Sequence, residues 1–385
     1  MFITPCLNNV IVNHEANMKY QILFSALFLA GCGNSVPVEE VGETFHANTV
    51  DETAFSNLKK TSDSIINSDT WNTFNCASKP IYLVRTDNKG NPEAGFVINP
   101  KSRISGARKL GKNESSGLNV WRYDGAIQLA KDKIGGNLYA FNFIVDGKSY
   151  YTQTYNESNT MTNSAFSNSN KLLCHEVFHG LHQHKLIHPS YSKQPLDSNG
   201  NIVYPTTRQL LELQILYLDL FEGLPKSVTK SQAIDMLKQY VAIRSTEISI
   251  DPYVRRANYQ EWSEGTAQFV ETMGNMHMFK DKSKNVFMYF PNPHGLHVTL
   301  HTQSQVASHF GWNVFYGSGA SVIWLLKQAG FDYVKAIEEG KTPYEAAKVV
   351  TQFKDSEISI YLGKAKRTHN WKRIQETARK LSEKK

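Results

Sequence analysis

The sequence predicts an α+β fold in which an antiparallel-rich β-sheet comes first and a mainly helical half follows. Between Pro80 and Tyr155, runs of β-branched and aromatic residues alternate with Gly, Asn and Asp, a pattern typical of strands joined by turns. From Lys171 onward, apolar residues recur at helical spacing instead. Strands followed by helices, rather than the two in alternation, favour an α+β architecture.

The strand region contains one strong turn signal. Asp146-Gly147 suits the positive φ angles of a type I′ turn, so it predicts a two-residue hairpin. A loop rich in Ser and Asn is expected from Asn156 to Asn170. The runs that predict strands are Ile81–Val84, Gly95–Ile98, Asn119–Arg122 and Leu138–Val145.

The helical half carries several start signals. Capping-box patterns begin at Thr206 and Thr229, and Thr342 precedes a Pro at the first helical position. The helices expected are Lys171 to about Lys185, Thr206–Phe221, one from Thr229, Ala257–Met273, Gly319–Ala329 and one from Thr342.

Composition and charge suit a folded protein with an uneven charge distribution. The hydrophobic fraction is 41% and the net charge is +7, much of it in Gly363–Lys385. Such a basic segment could face an anionic membrane or nucleic acid, but a solvated amphipathic helix is the more common role of a charge run. Because no aromatic-interleaved basic motif is present, we predict no nucleic-acid binding.

The N-terminal region has the layout of a secretory signal. In Met18–Cys32, Lys19 precedes an apolar run from Ile22 to Ala30, which is too short to span a bilayer. Leu29-Ala30-Gly31-Cys32 resembles the lipobox of bacterial lipoproteins. The resemblance implies export, cleavage before Cys32, lipid attachment at Cys32, and tethering at the inner or outer membrane. A plain signal peptide or a buried helix is the alternative.

These patterns predict four regions. Residues 1–31 form an upstream extension and signal peptide, the first 17 residues being an artefact of an early start codon. Residues 32–75 form a polar tether with a peripheral helix. Residues 76–330 form the central domain, β-rich over 76–170 and helical over 171–330, and residues 331–385 form a helical basic tail. Outside the signal region, Cys76 and Cys174 are expected either to form a disulfide or to remain as buried thiols.

The segment His175-Glu176-Val177-Phe178-His179 has the spacing of a metal site. Two histidines four residues apart project from one face of a helix, where both can reach one zinc ion. Glu176 is then placed to take a proton from a metal-activated water. The alternative is a pair of surface histidines beside a glutamate.

A catalytic zinc site needs a third protein ligand. No His follows at the spacing that a three-histidine pattern requires, and His182 lies a further turn along the helix. The best candidate is Glu264, because the small residues Gly265 and Ala267 would let its helix pack closely against the HEVFH helix and bring the carboxylate to the metal. Glu261 and Glu271 remain rivals.

The combination of HEVFH with Trp262-x-Glu264-Gly265-x-Ala267 resembles the gluzincin group of zinc peptidases over about residues 171–330. The resemblance implies a zincin-like fold, His175, His179 and Glu264 as zinc ligands, and Glu176 as the general base. Many gluzincins have an acidic residue four positions after the ligand glutamate, which orients a ligating histidine. This chain has Gln268 there, and two turns beyond Glu264 the side chain of Glu271 is expected to lie too far away to do that work.

Other candidates lie further along the chain. Tyr316 is a candidate oxyanion stabiliser, with a packing role as the alternative. Among the remaining residues, one of the histidines could be the stabiliser or bind another metal, and the arginines could receive a substrate carboxylate. Solvated loop positions for the histidines and structural salt bridges for the arginines are the more common roles. These residues are His294, His297, His301, His309, Arg244, Arg255 and Arg256.

The sequence thus predicts a zinc-dependent, lipid-anchored peptidase of the cell envelope that acts on a peptide or protein. A non-catalytic surface lipoprotein that binds a partner or cell-wall polymer, with a structural zinc or none, is the alternative. A zinc amidase acting on the cell wall ranks below both. Substrate identity, the choice between endopeptidase and aminopeptidase, and oligomeric state are left open.

Overall fold

A six-stranded mixed sheet forms the first half of the fold. In the computed structural model, which describes residues 46–162, 168–190, 196–222, 224, 227–279 and 293–384, the strand order is β3-β4-β2-β1-β6-β5. Of the neighbouring pairs, β1 and β6 are parallel and the others are antiparallel. The predicted α+β class and antiparallel-rich sheet are confirmed. The strands are β1 Ile81–Thr86, β2 Pro92–Ile98, β3 Arg108–Lys109, β4 Val120–Arg122, β5 Tyr139–Val145 and β6 Lys148–Tyr155.

Helices make up most of the remaining described chain. They are α1 Thr49–Asn67, α2 Ile127–Ile134, α3 Glu157–Thr160, α4 Ser169–Leu181, α5 Arg208–Glu222, α6 Lys230–Ile250, α7 Arg255–Phe279, α8 Leu296–Thr299, α9 Gln303–Ser308, α10 Val314–Gln328, α11 Tyr333–Glu338, α12 Pro343–Thr351, α13 Ile358–Thr368 and α14 Trp371–Ser382. Residues Ala47–Lys385 form one compact unit. Among the described helices, none combines the length and apolar character that crossing a bilayer requires.

The helix starts were predicted with mixed accuracy. Thr229 and Thr342 cap α6 and α12 as expected. The capping box at Thr206 was wrong: Thr207 accepts the hydrogen bond from the Leu210 amide, because the Thr206 hydroxyl bonds Gln303 instead. Helix α2 was not predicted, since it interrupts a region with strand periodicity.

The β5–β6 hairpin turns as the sequence predicts. Asp146 and Gly147 have φ angles of 49° and 71°, as a type I′ turn requires. Strand β5 also contains a bulge between Ala140 and Phe143, where Asn142 adopts a φ of 56°. A bulge shifts side-chain alternation by one residue. Phe141 therefore packs against α4, whereas Phe143 enters the core on the other face of the sheet.

The sheet separates two hydrophobic clusters. Residues such as Leu83 and Phe96 face the helices and belong to the large core, and Val84 and Val97 face a smaller core that α2 covers. Because α4 lies on the large-core side, beside β6, the HEVFH segment is held between the sheet and α7.

Helices α7 and α10 cross at closely apposed glycines. A Cβ at Gly265 would lie 2.5 Å from the Gly319 Cα atom, and one at Gly319 would lie 2.6 Å from the Glu261 carbonyl oxygen. Only backbone atoms block these positions, so neither side can yield by moving a side chain. This contact places Glu264 on α7 next to Tyr316 on α10.

We expect Gly265→Ala to lower the free energy of unfolding by at least about 1–3 kcal/mol, because the added methyl overpacks this crossing. Urea denaturation measures the change. Gly136→Ala is the matched control, since a Cβ there meets nothing within 4 Å. Equal stability of the two variants would contradict the crossing.

Candidate metal centre

Four polar side chains, each four residues from the next, face α7: Lys171, His175 and His179 on α4, and Gln183 just beyond its end. Lys171 Nζ lies 3.1 Å from Glu271 Oε1, and His175 Nδ1 lies 3.3 Å from Glu271 Oε2. His179 Nε2 lies 3.2 Å from Glu264 Oε2, and Gln183 Nε2 lies 2.7 Å from Thr266 Oγ1. The contacts move toward the start of α7 as α4 proceeds, so the two helices run antiparallel.

Three ligand-type atoms converge in the middle of this stripe. His175 Nε2 lies 3.1 Å from His179 Nε2, and Glu264 Oε2 lies 3.5 and 3.2 Å from these two nitrogens. The three residues form a cluster capable of holding a metal ion. The structure thus brings together the three residues that the sequence nominated as ligands, from segments that are 85 residues apart in the chain.

The hydrogen bonds of Gln183 determine the tautomer of His179. Gln183 Nε2 donates to the carbonyl oxygens of Trp262 and Ser263, at 3.0 and 3.1 Å. Carbonyl oxygens only accept, so the amide nitrogen must face them and Gln183 Oε1 must face His179 Nδ1, 2.7 Å away. Nδ1 therefore carries the hydrogen, and the Nε2 of a neutral His179 presents a lone pair to the cluster.

His175 is held in the same way by a carboxylate. Its Nδ1 faces Glu271 Oε2, which only accepts, so Nδ1 is the donor. In its neutral form, His175 then presents an Nε2 lone pair beside that of His179 and beside the Glu264 carboxylate. Three acceptors at this distance repel one another unless a proton or a metal cation lies between them.

The spacing of these acceptors fits zinc. Bonds of about 2.0–2.1 Å in a tetrahedral site place neighbouring ligand atoms about 3.3 Å apart. The observed separations of 3.1, 3.2 and 3.5 Å lie around that value. The donor set, two imidazoles and a carboxylate, is one that zinc prefers in catalytic sites.

The electrostatic surroundings favour a positive charge at this point. Burial lowers the pKa of His175, but Glu271 and Glu264 outweigh it and raise that pKa to about 10. Burial would raise the pKa of Glu264, yet His179 and His175 hold it well below its usual range. Burial likewise opposes the ionisation of Glu271, and Lys171 and His175 lower its pKa.

Glu176 lies beside the cluster with a partner that the sequence did not reveal. Burial raises the pKa of Glu176, while His175 and His179 act in the opposite direction. The hydroxyl of Tyr139, on the edge strand β5, donates a hydrogen bond to the Glu176 carboxylate. No local pattern links these residues, because their contact depends on the order of strands in the sheet.

Tyr316 also lies at the cluster. Its ring stacks on His175 with centroids 5.8 Å apart, and its hydroxyl donates to Glu264 and accepts from Trp312. Burial and the Glu264 charge raise the pKa of Tyr316 well above 10.0, so the phenol remains a donor. Trp312 lies in a π-helical turn, His309–Asn313, immediately before α10. Such turns are frequent at functional sites, and this one presents Trp312 to Tyr316.

The rival carboxylates have other partners. Glu261 is fully buried and bonds Arg244, Tyr240 and Ser318, so it belongs to the core rather than to the metal cluster. Glu271 is not a member of the cluster but binds His175 Nδ1. The expectation that Glu271 is too distant to orient a ligand was wrong, because the antiparallel helices keep it beside His175.

The remaining candidates lie outside the cluster. His182 packs among Phe74 and Phe178 near Glu338, and His294 pairs with Asp219. His309 is buried, which lowers its pKa to about 4. His297 is half-buried; His301 and Arg255 are exposed, and Arg256 stacks on Tyr253.

Cys76 and Cys174 are free, buried thiols in contact with each other. Cys32 lies outside the described residues.

We expect Glu271→Gln to weaken zinc binding about 10–100-fold, because the neutral amide supports His175 less strongly than a carboxylate does. Competition with a fluorescent zinc chelator measures the affinity. Glu247→Gln is the matched control, since Glu247 is equally buried but pairs with Arg244. A Glu271→Gln protein that binds zinc as tightly as this control would rule out the supporting role.

Comparisons with protein-family models, with curated proteins and with solved structures find no match to this chain. The function is therefore inferred from the chemistry of the cluster.

Proposed function

We propose that this protein is a zinc-dependent hydrolase, specifically a peptidase of the gluzincin type with a zincin-like fold. His175, His179 and Glu264 hold the zinc ion, and Glu176 is the general base. The observation that carries the proposal is the convergence of three acceptor atoms at tetrahedral spacing, 3.1 to 3.5 Å apart.

A zinc ion held there acts as a Lewis acid that polarises a carbonyl group and makes water more acidic. Glu176 follows His175 directly and lies close enough to both histidines and Glu264 for all three to affect its pKa. Its carboxylate takes the proton from the attacking water and passes it to the leaving amine. Tyr139 interacts with the Glu176 carboxylate and helps to position it.

Tyr316 is proposed to stabilise the developing negative charge on the substrate carbonyl oxygen. Its phenol is a buried donor fixed by stacking on His175 and by the bond from Trp312. Tyr316→Phe removes only the hydroxyl. If Tyr316 stabilises this charge, kcat of the variant falls while zinc remains bound. An unchanged kcat would disprove this role.

A peptide substrate is favoured by the position of β5. This strand is the edge of the described sheet, and its residue Tyr139 reaches Glu176. An extended peptide can add to such an edge through its repeating amides, which places a peptide bond beside the base. Ligands without a repeating backbone gain nothing from this edge.

We also propose that the protein is exported and carries lipid on Cys32, on the evidence of the lipobox-like segment. Mass spectrometry of the N-terminal peptide from cell envelopes tests this: a diacylglyceryl-modified Cys32 supports the proposal, and an unmodified N-terminus at Met1 contradicts it.

A peptide-library cleavage assay tests the activity. We expect cleavage by the zinc-loaded protein, loss of cleavage with a chelator, and recovery on adding zinc. A protein that binds one zinc ion per chain yet cleaves no peptide would instead indicate the non-catalytic alternative.

A further inference from the structure

The net positive charge of the chain falls in residues 358–385, which include its last two helices. Residues 358–385 contain nine Lys and Arg residues and two Glu residues, a net charge of +7. The whole chain also has a net charge of +7, so the preceding 357 residues are neutral, with 33 residues of each sign.

The cations of this region differ in their partners. Lys364 pairs with Asp235, Lys380 with Glu376, and Arg379 with Glu383. Lys366, Arg367 and Lys372 take part in none of the ion pairs formed within the described residues, and Arg367 and Lys372 are exposed. We call these three residues the basic patch.

Apolar and aromatic groups accompany the basic patch. Ile360 is 62% exposed and lies two helical turns before Arg367, on the same face of α13. Lys366 Nζ lies 4.2 Å from the centre of the Trp371 ring, which is itself half-buried. Exposed aliphatic, aromatic and basic side chains together are the composition of surfaces that sit at a lipid–water interface.

The helices that carry the basic patch are packed in the fold. Helix α14 buries Ile374, Ala378 and Leu381 against the protein, where it packs on α5. Its apolar face is therefore not available to enter a bilayer, and contact is limited to the charged surface and the exposed side chain of Ile360. Attachment of the protein to a bilayer through these side chains would be reversible and would weaken as the salt concentration rises.

We infer that the basic patch, with Ile360, docks the protein on the surface of an anionic phospholipid bilayer. Anionic lipid complements the uncompensated charge, and the exposed Ile360 favours lipid over nucleic acid, whose backbone has no apolar layer. This inference is independent of the hydrolase proposal, because none of these residues belongs to the metal centre.

Co-sedimentation of the full chain with vesicles tests the inference. Vesicles of phosphatidylcholine alone are compared with vesicles that also contain phosphatidylglycerol, so that any contribution of the N-terminal apolar segment is common to both. We expect tighter binding to the anionic vesicles than to the neutral ones. That binding should fall between about 0.1 and 1 M salt, as the Debye length falls from about 10 to 3 Å.

The variant Lys366→Gln/Arg367→Gln/Lys372→Gln removes the basic patch. Because each cation near an anionic membrane contributes about fivefold in affinity, we expect a loss of about 100-fold. The matched control is Lys89→Gln/Lys112→Gln/Lys148→Gln, which removes the same charge from exposed lysines elsewhere. Thermal melting of both variants checks their folding.

Retained binding by the control and loss by the patch variant would support the inference. Equal binding to neutral and anionic vesicles would overturn it, and so would an equal loss in both variants. A short DNA duplex that binds the protein more tightly than the anionic vesicles would also overturn it, since the patch would then be a nucleic-acid site.

Discussion

Replacement of Glu176 by Gln is expected to lower kcat by about 10²–10⁴-fold, the usual contribution of a general base. The amide keeps the size of the side chain and can still accept a hydrogen bond from Tyr139, but it cannot take a proton. Because Glu176 is not among the three converging ligands, zinc should remain bound. Steady-state kinetics on a cleaved peptide and metal analysis of the same sample measure both effects.

Tyr151→Phe is a suitable control for this variant. Tyr151 stacks on Tyr139, but its hydroxyl bonds Gln153, on the strand rather than in the metal centre. Because Phe keeps the aromatic ring and removes only this hydroxyl, the variant should retain kcat within a few-fold. Undiminished turnover by Glu176→Gln would eliminate the proposed mechanism.

Removal of a ligand is expected to abolish zinc binding. His175→Ala and Glu264→Ala each leave two of the three converging atoms, and a closed set of ligands is what gives a protein zinc site its affinity. We expect about one zinc ion per chain in the unaltered protein and none in either variant after gel filtration. His184→Ala is the control, because His184 is exposed and belongs to the same helical region.

Two outcomes would count against the site. Zinc retained by both ligand variants would place the metal elsewhere, and loss of zinc from His184→Ala would show that general disturbance of this region removes it. Since Glu264 lies on a different helix from His175, the same loss in both variants would not be explained by local unfolding of α4.

Some residues of the metal centre could be predicted from the sequence, because short-range sequence patterns mark them. The four-residue spacing of His175 and His179 marks one helix face, and Gly265 beside Glu264 predicts a close helix approach. The close contact at Gly265 is with Gly319 of α10, so the expectation that Gly265 packs against the HEVFH helix was wrong. Lys171 and Gln183 continue the four-residue spacing in both directions, so the signal for these supporting residues was present.

Other features depend on the three-dimensional arrangement. Tyr139 reaches Glu176 only because β5 is at the edge of the sheet beside β6, and strand order has no local signature. The role of Glu271 depends on α4 and α7 being antiparallel. The start of α5 was misplaced by one residue because Thr206 bonds Gln303, far along the chain.

X-ray absorption at the zinc edge of the loaded protein tests the central claim most directly. We predict two imidazole nitrogens at about 2.0–2.1 Å and carboxylate oxygen at about 2.0–2.2 Å. The free thiols of Cys76 and Cys174 are the alternative zinc ligands, and they would add a shell of sulfur atoms to the spectrum. A shell at about 2.3 Å, or a spectrum of fully hydrated zinc, would contradict a site made of His175, His179 and Glu264.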